Sequence, residues 1–91
     1  MSAPAITEAD ILKEVIAPER AELPEEAARS ILSLRFSERA RQRIQKLLQA
    51  NNHGKLASEE RAELDKYLRV GQFLDLLQAK ARISLARSGG A

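Results

Sequence analysis

The chain has no cysteine and no tryptophan, one methionine, one tyrosine, two phenylalanines and one histidine. Without thiols there is no disulfide framework and no cysteine nucleophile, and His53 alone cannot assemble a zinc site. With Phe36, Tyr67 and Phe73 as the only aromatic rings, a core must be built from Leu, Ile, Val and Ala. No run approaches the ~20 apolar residues of a membrane span, and the N-terminus lacks a signal-peptide hydrophobic region. The expectation is a soluble, cytoplasmic protein. A glycine-rich phosphate loop is also missing, and no catalytic constellation emerges, so an enzyme is not expected and no cofactor is assigned.

Ninety-one residues make a single domain that buries only a little over ~60% of its unfolded surface. Such a domain is marginal, and oligomerisation or a partner is a natural source of further burial. The net charge of +2 is unevenly spread: residues 1–28 carry −5 and residues 29–91 carry +7. An acidic first third on a basic remainder is either self-complementary or an interaction arm.

The longest regular stretch is Ser58 to Arg87. Ser58 reads as an N-cap, and Glu59 and Glu60 place negative charge where the helix dipole favours it. Leu64, Leu68, Gly71, Leu74, Leu77, Ala81 and Leu85 recur at helical spacing. Before it, the sequence predicts an all-α fold in order. Thr7 caps a short helix with Asp10 as capping-box partner and Ile6 and Ile11 as staple. Pro18 ends that helix near Ile16. Residues 17–22 read as a linker, and Pro24 opens a second short helix with Ala27, Ala28, Ile31 and Leu32 on its buried side. Ser37 caps a third helix over 38–51, with Phe36 as staple and Ala40, Ile44, Leu47 and Leu48 as stripe. Asn51, Asn52, His53 and Gly54 supply its C-cap.

A connection as short as 52–57 predicts a helical hairpin of 38–51 against 58–87, held by Ile44, Leu47 and Leu48 against Leu64, Leu68 and a close approach at Gly71. The flexible ends are placed at 1–6 and 88–91, with one helical domain over 7–87. Helix 38–51 is only about half as long as its neighbour, so the second half of the long helix is left for the two N-terminal helices to cover on one side and for another chain to cover on the rest. Val70, Phe73, Leu74, Leu77, Ala81 and Leu85 occupy more of its circumference than one short helix can cover. They are the expected partner interface, in a homo-oligomer or a hetero-complex.

Two other constellations carry recognisable chemistry. Residues 49–60 place Gly54 and Glu60 at the sixth and twelfth positions of a calcium loop, but Gln49 begins it, and one carboxylate is too few for a hard dication. A C-cap followed by an N-cap accounts for the same residues. Arg35, Arg39, Arg43 and Lys46 form a basic face that could contact nucleic-acid phosphates. No helix-turn-helix spacing accompanies it, and base-reading Asn or Gln are few. Nucleic acid is therefore not expected to be bound by this chain alone.

The run from Ala27 to Ser37 (AARSILSLRFS), that from Asn52 to Leu64 (NHGKLASEERAEL), and Tyr67–Gly71 leading to Leu76–Arg82 together resemble a family of small, mostly uncharacterised bacterial helical proteins. Some of them are encoded beside toxin-like nucleases and are antitoxin-like. The resemblance covers residues 24–87 and departs at Ala57, where it leads one to expect Thr. It implies a protein–protein interaction module whose partner is a neighbour-encoded, toxin-like nuclease, and it transfers no catalytic residue. The alternative is a small nucleic-acid-binding or architectural protein using the basic face of helix 38–51.

Overall fold

The structure is a computed structural model that describes residues 5–89, with side chains described to Arg87. The described residues form four α-helices and no strand: α1 (Glu8–Ile16), α2 (Glu25–Leu32), α3 (Glu38–Asn52) and α4 (Ser58–Gly89). The all-α expectation holds. Ser88 and Gly89, expected in a flexible tail, continue α4. The rest of that tail, and residues 1–4 of the expected flexible N-terminus, lie outside the described residues. The chain forms two compact units. One joins the residues up to Leu34 to those from Gln72 onward, and the other is Arg35–Gly71. α4 contributes to both.

In the first unit α1 opens with the expected capping box. Thr7 Oγ1 accepts the Asp10 N–H at 3.1 Å, and Asp10 Oδ2 accepts the Thr7 N–H at 3.1 Å. The hydrogen bond from the Thr7 backbone, seconded by its hydroxyl, holds the Asp10 carboxyl below the usual carboxylate range. The expected staple does not close, because Ile6 and Ile11 both stay exposed. α1 stops at Ile16, where Ala17 turns left-handed (φ 48°) and returns its N–H to the Lys13 carbonyl. α2 follows Pro24, has Glu25 and Glu26 in its first turn, and buries Ala28 completely.

Three polar side chains of α4 fasten these short helices. Gln78 Nε2 donates to the Ile31 carbonyl (3.2 Å), which also accepts the Leu34 N–H, and to the Leu34 carbonyl just beyond α2 (2.7 Å). Ser84 Oγ accepts the Leu23 N–H at 3.2 Å, just ahead of α2. Advancing along α4 from 78 to 84 therefore moves back along the chain from 34 to 23, so α2 lies antiparallel to this half of α4. Ala28 and Ala81, both fully buried, fall between the two anchors. Lys80 Nζ donates to the Ile16 carbonyl at 2.6 Å and to Glu22 Oε1 at 2.9 Å, tying down the end of α1 and the segment after it.

In the second unit Ser37 Oγ accepts the Ala40 N–H at 3.1 Å, the expected cap of α3. Its other end is a Schellman closure: Gly54, at φ 67°, donates to the Asn51 carbonyl, and Lys55 donates to that of Ala50. The start of α4 differs from expectation. Ser58 is the first helical residue, and Ala57 takes the cap position, its carbonyl accepting the Arg61 N–H at 2.8 Å. Glu60 Oε1 accepts the Ala57 N–H at 3.0 Å, so half of a capping box is present. Ala57 has no side-chain oxygen to form the other half.

The buried pair in this unit is Leu47 (1% exposed) and Leu64 (3%), with Ile44 half-buried. Leu48 and Leu68, expected beside them, are exposed. Gly71 is not met by α3. A Cβ built there would lie 3.7 Å from the Phe36 ring, an ordinary van der Waals distance. Phe36 packs edge-on against Tyr67, with ring centroids 6.1 Å apart. The expected close helix approach at Gly71 is therefore replaced by an aromatic side chain lying over the glycine.

Candidate interaction surfaces

From Gln72 onward, α4 carries the bonds to α1, α2 and the segment between them. Its inward face carries Ala81 with Gln78, Lys80 and Ser84, the last two buried, so part of what holds α1 and α2 is polar. Of the expected interface residues, Ala81 is covered within its own unit, and Leu74, Leu77 and Leu85 are half-buried. Phe73 remains 40% exposed, and Val70, in the other unit, 53%. A bulky aromatic left in solvent is the feature of this half that asks for an explanation.

Lys80 is the unusual group. A charged side chain is rarely buried without partners, and here the ammonium has a carbonyl and a carboxylate. In return, the Lys80 hydrogen bond and charge hold Glu22 below the usual carboxylate range.

Among the residues of the expected basic face, Arg39, Arg43 and Lys46 share a shallow groove of about 530 Å³ with Glu63 and Tyr67. Arg35 is exposed but does not line it. Arg43 is engaged: its Nε and Nη2 make a two-pronged bond to Glu63 at 2.8 and 2.7 Å. That hydrogen bond keeps the Glu63 carboxyl low and raises Arg43 further. Arg39 and Lys46 have no ion pair among the described residues. Next to this groove, Phe36, Tyr67 and Val70 with Lys66 line a second, mainly apolar depression of about 390 Å³ that shares Glu63 and Tyr67 with the first.

His53 is an exposed residue at the end of α3, and the 49–60 segment is accounted for by its two caps. Among the described residues no group of three or more His, Cys, Asp or Glu is placed to hold a metal ion, and no helix is long and apolar enough to cross a membrane. Sequence reasoning missed Gln78, Lys80, Ser84 and Glu63. The first three lie within an apolar run and carry no mark of their targets, which are backbone groups far away in sequence. The signal for Glu63 was available, since an acid on α4 faces a chain of arginines on α3. No protein-family model matches the chain, and neither curated proteins nor solved structures give a match.

Proposed function

We propose that the chain is a non-enzymatic, cytoplasmic protein–protein interaction module, antitoxin-like, that masks a neighbour-encoded partner through α4. The observation that carries this reading is Phe73, which stays 40% exposed on the half of α4 that already holds α1 and α2. Half-buried Leu74 and Leu77 beside it supply the margin of an apolar patch, and aromatic anchors of this kind dominate interface energetics. Residues 37–71 act in this reading as a helical hairpin, supported by the Arg43–Glu63 and Arg61–Asn51 bonds and the buried Leu47 and Leu64. The identity of the partner as a toxin-like nuclease rests on the family resemblance of residues 24–87.

The test is co-expression with the product of the adjacent gene, followed by mass measurement of the complex. Wild type should form a defined complex. Phe73→Asp should abolish it while the isolated protein keeps its helical content. A complex indifferent to Phe73→Asp, or none at all, would overturn the reading. A second reading, a nucleic-acid binder using Arg39 and Lys46, is favoured by their shared groove and weakened by the engagement of Arg43 with Glu63. It requires affinity for duplex DNA that falls steeply with salt.

A further inference from the structure

α1 is anchored at its end. Ile16 is buried and its carbonyl is held by Lys80, while Ala9 and Leu12 are half-buried. Ile11 and Val15, one helical turn apart, stay 51% and 76% exposed. Helical geometry places Glu8 and Glu14 on opposite flanks of this pair. α1 therefore shows the solvent an apolar ridge with acidic edges, on the segment of the chain where negative charge predominates.

Residues 35–71 carry the complementary relief. Phe36, Tyr67 and Val70 form an apolar floor; Lys66 borders it, Arg39 and Lys46 border the adjoining groove, and Glu63, which lines both, has its charge met by Arg43. The cations of Arg39, Lys46 and Lys66 are exposed. An apolar trough with basic edges fits an apolar ridge with acidic edges in both hydrophobicity and sign, and such matching favours encounter and register.

We propose that this trough is a docking surface for α1 of a second copy of the chain. It is built on residues of 35–71 and does not use Phe73. A ridge of two aliphatic side chains on so short a helix is small beside the ~800 Å² per partner of a standard stable interface, so the association is a weak, reversible one, loosened by salt.

Sedimentation equilibrium of the full chain, over roughly a hundredfold range of concentration at low and high salt, tests it. Wild type should dimerise reversibly at low salt. Val15→Ser, at a position with no role in the fold, should weaken the dimer by roughly tenfold. A Lys46→Glu/Lys66→Glu double variant should do the same, and mixing it with Glu14→Lys should restore part of the lost association. Phe73→Asp should leave this dimer intact, which keeps the result distinct from that of the partner reading. A wild type monomeric at every concentration would overturn the proposal. So would a dimer that survives both the Val15 and the lysine variants, or one lost only in Phe73→Asp. Loss of duplex-oligonucleotide binding in the lysine variant, with self-association unchanged, would assign the trough to nucleic acid instead.

Discussion

The two units of this chain are held by different kinds of bond. In residues 35–71 the ties are a buried leucine pair, an aromatic edge contact and an ion pair between neighbouring helices, with the helix ends closed by residues three to five positions away. In the unit that joins α1 and α2 to the second half of α4, the decisive bonds run from three polar side chains of α4 to backbone groups 44 to 64 positions earlier. The difference follows from the lengths of the helices. α3 has 15 residues and can present an apolar stripe, whereas α1 and α2 have nine and eight and expose unpaired ends over much of their length. Short helices are fixed by satisfying those ends.

The largest expected effect breaks the apolar side of this comparison. Leu47→Ala should cost about 3 kcal/mol in urea unfolding, because Leu47 is the largest side chain with essentially no exposure. An exposed position such as Leu48 should cost far less on the same truncation. On the polar side, Lys80→Met keeps most of the packing but removes the donor to the buried Ile16 carbonyl, and should cost about 2 kcal/mol. A variant as stable as wild type would mean that the ammonium contributes nothing net.

Two smaller changes sharpen the account of residues 35–71. Ala57→Thr should complete the capping box with Glu60 and stabilise the protein by about 1 kcal/mol, measured as a rise in Tm. Gly71→Ala should also stabilise, by about 0.5–1 kcal/mol, since the new methyl would meet Phe36 at an ordinary distance. A fall in Tm would show an approach at Gly71 closer than that.

The last effect is on pH dependence. Glu22 and Glu63 are both held below the usual range by hydrogen bonds from Lys80 and Arg43. A carboxyl lowered on folding is protonated more readily in the unfolded chain. Its contribution to stability is therefore present above the ordinary glutamate value of 4.5 and is lost as pH falls through the folded value. Glu22→Gln should flatten the acid limb of the stability curve, measured by urea unfolding between neutral pH and about pH 3. An unchanged slope would remove Glu22 from the account.

What was legible in the sequence follows the same division. The Thr7–Asp10 box, the Ser37 cap, the glycine closure at Gly54 and the end of α1 before Pro18 are local patterns, and each formed where the residues indicated. The cap of α4 slipped by one residue because Ser58 is a better capping side chain than Ala57, yet Glu60 reaches back to Ala57. The inward roles of Gln78, Lys80 and Ser84 were not legible. Nothing about a lysine says that a carbonyl 64 residues earlier will accept from it, and polar residues in an amphipathic helix ordinarily face water. The candidate site inherits this: cover from the N-terminal helices was legible as a possibility in the apolar side of α2, but not that Ala81 would be the residue covered.

These polar anchors make α1 and α2 a fixed cover on α4. Residue-resolved amide hydrogen exchange at neutral pH, on wild type and Lys80→Met, measures that most directly. Wild type should protect the amides of α1 and α2 well beyond fraying, and Lys80→Met should lower protection from α1 to Glu22 while leaving α3 and residues 58–71 unchanged. Amides of α1 and α2 that exchange in wild type as fast as an unfolded segment would contradict it, because the two helices would then be a detached arm and their covered face on α4 would be open.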